Sequence, residues 1–183
     1  MTSYADDSSF HVRAKNLNLL KEDLGNLSDR MISYCHSAGL VLNYDKTQLL
    51  VSTKQKCQIK IGSSLITSTS VINLLGVDFD SNFSTTPYLQ KLARAASTRA
   101  SIISRLSFSM PPHVLKTFAD GLLMGKILAN CPVTIPVRLT CHDKTYIGLT
   151  EEISKAINST VRTITRTKLS DKIRTEDVFV KLT

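Results

Sequence analysis

Residues 58–67 alternate polar and apolar side chains on both sides of a short glycine-serine stretch, in the order Gln58-Ile59-Lys60-Ile61-Gly62-Ser63-Ser64-Leu65-Ile66-Thr67. Alternation places the apolar side chains on one face of an extended chain. Two such runs separated by a few residues that include glycine are typical of a β-hairpin. The sequence therefore predicts two antiparallel strands here. A further strand is predicted from Val71 to Val77, with Gly76 marking a bend.

A long amphipathic helix is predicted before this hairpin, from about Asn16 to His36. Its apolar residues recur at helical spacing and share one face: Leu17, Leu20, Leu24, Leu27 and Met31. Gly39 is suited to end the helix, because glycine readily adopts the left-handed conformation of a helix C-cap. The N-terminal half is thus expected to hold short strands and one long helix.

The pattern changes to helical spacing after Thr86. One helix is predicted from about Pro87 to Phe108, a second from Pro112 to about Asn130 and a third from about Glu151 to Thr167. The first has the apolar face Leu89, Leu92, Ala93, Ala96, Ala100 and Ile103, and the second is expected to turn Leu115, Phe118, Leu122 and Leu123 inward. The predicted fold class is α+β.

The charge of the chain is concentrated in its C-terminal part. The net charge is +8, and residues 1–83 contain as many Asp and Glu as Lys and Arg, so residues 84–183 carry all of the excess. A basic half joined to a neutral half indicates a polyanion partner on one side, although ordinary surface charge is an equal alternative at this level.

Several function classes receive no support. No apolar run approaches the roughly 18–20 residues of a transmembrane helix, so no membrane partner is expected. The cysteines Cys35, Cys57, Cys131 and Cys141 form no CxxC pair, and reduced thiols in an intracellular protein, nuclear or cytoplasmic, are expected. There is no glycine-rich phosphate loop and no Gly-x-Ser-x-Gly nucleophile motif.

The stretch Tyr4-Ala5-Asp6-Asp7 lies between two segments expected to be extended. Adjacent residues on a regular strand point to opposite faces, so two neighbouring aspartates approach one metal only where the strand turns. Carboxylates are ligands that Mg²⁺ prefers, and paired metal ions serve phosphoryl transfer. Asp6 is the stronger candidate ligand and Asp7 the weaker. Paired aspartates also occur in turns simply to cap the backbone.

Three ordered motifs resemble the palm domain of the reverse transcriptases of non-LTR (LINE-type) retrotransposons. They are Tyr4-Ala5-Asp6-Asp7, then Gly39-Leu40-Val41-Leu42-Asn43-Tyr44-Asp45-Lys46-Thr47, then Ile72-Asn73-Leu74-Leu75-Gly76-Val77-Asp78-Phe79-Asp80. The resemblance implies that Asp6 and Asp7 are catalytic ligands of Mg²⁺. It implies that Lys46 protonates the leaving pyrophosphate. It also implies that Leu75 and Gly76 belong to the primer grip.

The basic helical half resembles the thumb of the same enzymes, which follows the template–primer duplex through its phosphates. Nucleic-acid-binding roles are thereby implied for Lys91, Arg94, Arg99 and Arg105, each of which is otherwise a cation on a solvated helix face. The resemblance divides the chain into a partial palm (1–83) with a short antiparallel sheet and one long helix, a helical thumb (84–135) and a C-terminal helical extension (136–183). The implied partners are an RNA template, a DNA primer and deoxynucleoside triphosphates.

The family's active site takes a further Asp from an earlier palm strand, and its fingers hold the nucleotide. Neither has a counterpart in this sequence, so we expect a fragment of an RNA-directed DNA polymerase that is inactive alone. Two alternatives remain open, namely a nucleic-acid-binding module without catalysis and a transposon remnant that folds poorly.

Overall fold

The computed structural model describes residues 2–4, 7–53, 56–129, 144–168 and 171. The fold is mixed α+β, with several helices and small sheets, as the sequence predicts. The chain forms two compact units, Met1–Ile72 and Asn73–Thr183. This division lies N-terminal to the predicted boundary at 83/84, because strand Val77–Asp80 packs on the helix that follows it.

The first unit contains five strands and one long helix among its described residues. Strands β1 (Thr2–Tyr4) and β2 (Asp7–Ser9) pair antiparallel, and helix α1 spans Leu17–Ser37. A 3-10 turn at Tyr44–Lys46 precedes β3 (Leu49–Leu50), β4 (Gln58–Ile61) and β5 (Ser64–Thr69). The hairpin predicted around Gly62 is confirmed, with Ile59 opposite Ile66, and β3 adds parallel to the other edge of β5.

Local capping fixes both ends of α1. The side chain of Asn16 accepts a hydrogen bond from the Leu19 amide at 2.9 Å, which satisfies one of the free donors of the first turn. At the other end Gly39 has φ +69°, and the Leu40 amide donates to the Cys35 carbonyl at 2.8 Å. This backbone reversal is a glycine C-cap, as the sequence predicts.

A small core holds α1 against the sheet. Its buried members are Val51, Cys57 and Ile59, and Leu17, Leu20 and Leu24 of α1 pack against them. The leucine stripe of α1 is therefore the face that contacts the sheet. Cys35 and Cys57 are both buried free thiols, whereas Cys131 and Cys141 lie outside the described residues.

The second unit begins with a hairpin and continues with helices. Strand β6 (Val71–Leu74), which spans the division between the units, pairs with β7 (Val77–Asp80). The helices are α2 (Thr86–Leu106), α3 (Pro112–Phe118), a π-helix (Ala119–Met124), α4 (Gly125–Leu128) and α5 (Lys144–Thr165). The predicted strand is confirmed over Val71–Leu74, and the predicted bend at Gly76 is a full reversal at Leu75-Gly76 that leads into β7.

The core of the second unit is built on α2. All six residues of its predicted apolar face are buried: Leu89, Leu92, Ala93, Ala96, Ala100 and Ile103. Helix α5 packs against α2 and buries Ile153, Ala156 and Ile164. Helix α5 begins at Lys144, earlier than the predicted start at Glu151.

The π-helix changes which residues face this core. Leu115 and Leu123 are buried as predicted, but Phe118 and Leu122 are 39% and 41% exposed. The buried series is Leu115, Ala119, Leu123 and Ile127, with four residues at each step. An α-helix has 3.6 residues per turn, so a four-residue step drifts around it, and the wider π-helical stretch in the middle of this series offsets that drift.

Adjacent isoleucines of α2 provide a test of this core. Ile103 is fully buried, whereas Ile102 is 44% exposed. We expect Ile103→Ala to lower the free energy of unfolding by about 2–5 kcal/mol, because a buried aliphatic side chain is replaced by a cavity. Ile102→Ala, the matched control, should change it by less than about 0.5 kcal/mol. Urea denaturation followed by circular dichroism measures both, and equal losses in the two variants would contradict this packing.

Candidate functional site

The first candidate residues lie at a β-hairpin. Tyr4 and Asp7 are opposite each other in the antiparallel register of β1 and β2. Asp7 is exposed to solvent. Asp6, the stronger candidate ligand in the sequence, lies outside the described residues.

The described part of this hairpin offers a metal ion a single carboxylate. In the parts of the chain that the structure describes, no group of three or more His, Cys, Asp or Glu side chains could hold a metal ion. Protein sites for Mg²⁺ use one or two carboxylates together with water and substrate phosphates. Asp7 is one such carboxylate, and the pair that the motif implies includes Asp6, which lies outside the described residues.

The second candidate, Lys46, lies in a turn that its own motif builds. The side chain of Asn43 accepts a hydrogen bond from the Lys46 amide at 3.2 Å. The hydroxyl of Thr47 donates to the Asn43 carbonyl at 2.9 Å, and the Thr47 amide donates to the Tyr44 carbonyl at 3.1 Å. Asn43 and Thr47 thus close a single helical turn, and the Lys46 side chain is exposed on it.

Packing also holds this turn in place. A Cβ atom at Gly62 would lie 2.7 Å from the hydroxyl oxygen of Tyr44, which shows how closely the Tyr44 ring lies against the β4–β5 hairpin. The backbone of Gly62 has φ +57°. The turn that carries Lys46 is therefore anchored to the sheet through Tyr44.

The third candidate pair, Leu75 and Gly76, forms the two-residue turn between β6 and β7. Leu75 has φ +50° and Gly76 has φ +83°. Positive φ at both central residues is the signature of a type I′ turn, the connection that matches the twist of a hairpin. Glycine adopts this conformation freely, but a leucine there costs about 1–2 kcal/mol. Leu75 is also 52% exposed, so burial of its side chain offsets little of that cost.

A polar network beside this turn connects the hairpin to α2. The Asn73 side chain accepts from the Gly76 amide at 3.1 Å and donates to one carboxylate oxygen of Asp78 at 2.8 Å. The other carboxylate oxygen of Asp78 lies 2.5 Å from the ammonium nitrogen of Lys91. Asp78 is 5% exposed, so its charge is buried and is balanced by these two partners.

The same partners lower the pKa of Asp78. The hydrogen bond from Asn73 is the main cause, and the hydrogen bond from Lys91 adds to it, while burial acts in the opposite direction. Both donors stabilise the ionised carboxylate. Asp78 is therefore a charged residue that holds the turn, and sequence reasoning assigned no role to it or to Asn73.

The four candidate phosphate-binding cations separate into two pairs. Lys91 contacts Asp78, and the Arg99 guanidinium donates to the Leu122 carbonyl of the π-helix at 2.7 Å. Both side chains already serve the packing of the second unit. Arg94 and Arg105 are exposed, and no hydrogen bond or ion pair from another described residue reaches either guanidinium. Those two are the cations that α2 leaves open to an external phosphate.

The candidate residues are divided between the two units. Asp7 and Lys46 lie in the first unit, whereas Leu75, Gly76 and the four cations of α2 lie in the second. Each motif has a defined local structure of its own.

The strained turn generates one prediction. Gly76→Ala should lower the free energy of unfolding by about 1–2 kcal/mol, because a side chain disfavours positive φ. A Cβ at Gly76 would have no atom within 4 Å, so crowding adds nothing. Leu75→Asn should raise stability by about 0.5–1 kcal/mol, because asparagine tolerates the left-handed region better.

The control for this pair is Gly25→Ala. A Cβ at Gly25 also has open space around it, but Gly25 lies inside α1, where alanine is favoured by about 0.5–1 kcal/mol. Thermal denaturation should thus show lower stability for Gly76→Ala and higher stability for both Leu75→Asn and Gly25→Ala. A loss of stability in Leu75→Asn would contradict the strained turn.

The Asp78 network generates a second prediction. Lys91→Gln should lower the free energy of unfolding by about 1 kcal/mol, below the usual 1.5–3 kcal/mol of a charged hydrogen bond, because the lysine side chain is 71% exposed. Arg94→Gln, which removes the same charge from the same helix, should change it by less than about 0.5 kcal/mol. Equal effects of the two variants would contradict a structural role for Lys91.

The pH dependence follows from the direction of the pKa shift. Because the folded protein lowers the pKa of Asp78, its stabilising contribution is complete above the unfolded value of about 3.9 and is lost as the pH falls through the folded pKa. The Asp78→Asn variant should therefore lose less stability than the unmodified protein between pH 5 and roughly pH 2. Urea titrations at several pH values measure this difference, and parallel losses would contradict it.

None of the described helices is both long and apolar enough to cross a membrane. No protein-family model matches the chain, and no curated protein and no solved structure matches it either. The likeness to non-LTR reverse transcriptases therefore rests on the residues of the three motifs and on their order.

Proposed function

We propose that this chain is part of an RNA-directed DNA polymerase of the non-LTR retrotransposon type, with palm residues in the first unit and a basic thumb in the second. What carries the proposal is a local correspondence. Lys46 and Leu75-Gly76 each lie in a turn, and Asp7 lies opposite Tyr4 in an antiparallel pair of strands.

The basic face of α2 supports the thumb assignment. Arg94 and Arg105 are separated by three turns of the helix and so share one stripe, with Thr98 and Ser101 between them. This stripe lies opposite the buried face of α2. A row of cations and hydroxyls on an exposed face suits the phosphates of a duplex, which it would contact without selecting a sequence.

The fold of the hairpin at Leu75-Gly76 supports the primer-grip assignment. The Asn73–Asp78–Lys91 network holds a strained turn that carries two exposed leucines, Leu74 at 37% and Leu75 at 52%. Strain that is maintained by surrounding contacts is characteristic of functional sites. In the proposed function this turn supports the end of the primer strand.

The alternative is a nucleic-acid-binding module that does no catalysis. The observation that favours it is the pair of exposed cations on α2, Arg94 and Arg105, which would contact phosphates without any metal ligand. Both functions predict duplex binding through α2, so metal binding at Asp6 and Asp7 separates them.

Binding of an RNA–DNA duplex tests the thumb. The affinity should fall as salt rises, and Arg94→Gln/Arg105→Gln should reduce the slope of log K against log salt by about 2, one for each lost phosphate contact. The matched control is Lys21→Gln/Arg30→Gln, which removes two exposed cations from α1 and should leave the slope unchanged. Fluorescence anisotropy of a labelled duplex measures both, and an unchanged slope in the α2 variant would contradict the proposal.

Binding of Mn²⁺, a spectroscopic substitute for Mg²⁺, tests the palm in the same samples. Asp6→Asn/Asp7→Asn should abolish the enhancement of water-proton relaxation that bound Mn²⁺ produces, whereas Asp45→Asn, an exposed aspartate of the same unit, should keep it. If relaxation is equal in all variants while duplex binding persists, the non-catalytic module is the correct function. The chain alone should extend no primer, because the further palm Asp has no counterpart in it.

A further inference from the structure

The outward face of α2 carries two hydroxyl side chains between its two arginines. Thr98 follows Arg94 by four residues and Ser101 precedes Arg105 by four, so the four side chains lie on one stripe of the helix. All four are exposed. The two arginines are about 16 Å apart along the helix axis, at 1.5 Å per residue. The stripe therefore has a long cation at each end and two short hydroxyl side chains in the middle.

Both hydroxyls already use their protons within the helix. Thr98 Oγ1 donates to the Arg94 carbonyl at 3.0 Å, and Ser101 Oγ donates to the Ser97 carbonyl at 3.0 Å. A hydroxyl has one donor and two acceptor lone pairs, so each oxygen is left as an acceptor on the exposed face. Since phosphate oxygens only accept hydrogen bonds, a partner group that donates one suits these two oxygens better.

The charge of α2 suits close approach to a polyanion. The helix contains no Asp or Glu between Thr86 and Leu106, so its outward face has no carboxylate of its own to repel phosphates. The arginines reach phosphates at both ends of the stripe, whereas Thr98 and Ser101 project little from the helix. They contact the floor of a groove between two phosphate strands only where that groove is wide and shallow.

These requirements distinguish the grooves of the two duplex forms. The minor groove of an A-form duplex is wide and shallow and displays the 2′-hydroxyls of an RNA strand, which donate hydrogen bonds. The minor groove of B-form DNA is about 6 Å wide, which is narrower than a helix of about 10–12 Å. The major groove of B-form DNA admits a helix but offers no 2′-hydroxyl.

We propose that α2 lies across the minor groove of an RNA–DNA duplex, with Arg94 and Arg105 on phosphates and with Thr98 and Ser101 accepting hydrogen bonds from 2′-hydroxyls. The inference rests on the proposed function, because it takes a nucleic-acid duplex to be the partner of α2. It adds specificity to that binding. The arginines provide affinity for any duplex, and the hydroxyls select a duplex that contains RNA, whatever its base sequence.

Three labelled duplexes of one base sequence test this assignment with the full-length chain. They are an RNA–DNA duplex, the same duplex with 2′-fluoro nucleotides in place of the ribonucleotides, and an all-DNA duplex. Fluorine keeps the A-form sugar conformation but donates no hydrogen bond. Fluorescence anisotropy at one salt concentration should show that the unmodified protein binds the 2′-fluoro duplex about four- to hundredfold more weakly than RNA–DNA. Two hydrogen bonds are lost, and each contributes roughly two- to tenfold.

The variant Thr98→Val/Ser101→Ala removes both acceptors. It should bind RNA–DNA as weakly as the unmodified protein binds the 2′-fluoro duplex, and it should not distinguish those two duplexes. Its affinity for all-DNA should stay within twofold of the unmodified value, which also shows that the variant is folded. The matched control is Ser33→Ala/Thr117→Val, which removes two exposed hydroxyls with the same type of backbone bond from α1 and α3 and should keep the full preference.

Two results would overturn the proposal: an unmodified protein that binds RNA–DNA and its 2′-fluoro form equally, or a Thr98→Val/Ser101→Ala variant that still distinguishes them. The variant Arg94→Gln/Arg105→Gln should weaken binding of all three duplexes. If affinity depends on these arginines but not on fluorine, the hydroxyl assignment fails and the duplex-binding face stands. If the unmodified protein binds none of the three duplexes, the inference and the proposed function fail together.

Discussion

The buried carboxylate of Asp78 is the constraint on which the second unit depends. A charge that is 5% exposed is tolerated only with partners, and Asp78 has one on each side. Asn73 comes from the other strand of its own hairpin and Lys91 comes from α2. Because Asn73 also holds the Gly76 amide, a single network sets the register of the hairpin, the shape of its turn and its attachment to α2.

Helices with a regular apolar stripe could be predicted from the sequence, because the spacing of the stripe is visible without knowing which element packs against it. The apolar positions of α2 are buried as their spacing predicts, and the caps of α1 at Asn16 and Gly39 follow from local chemistry. The π-helix at Ala119–Met124 could not be predicted from an α-helical period. A single four-residue step fits an α-helix, and only the run of three such steps from Leu115 to Ile127 departs from its period.

The bend at Gly76 was predicted, but its form, a type I′ turn between two paired strands, was not. A type I′ turn is normally recognised by asparagine or aspartate before glycine, and leucine in that place reads as the interior of a strand. The strain is maintained by Asn73 and Asp78, whose roles depend on contacts across the hairpin and with α2. The turn that carries Lys46 was more accessible to sequence reasoning, because Asn43 and Thr47 form it within their own motif.

The structure separates the cations that hold the second unit together from those that face outwards. Composition places the whole excess in residues 84–183, but it treats all cations alike. Lys91 and Arg99 hold the unit together through Asp78 and the Leu122 carbonyl, so their charge is not freely offered to a partner. The cations of α2 that face outwards are Arg94 and Arg105, which are eleven residues apart. Since that interval returns to the same face of a helix, the two arginines form a row, which is an arrangement that a phosphate backbone can follow.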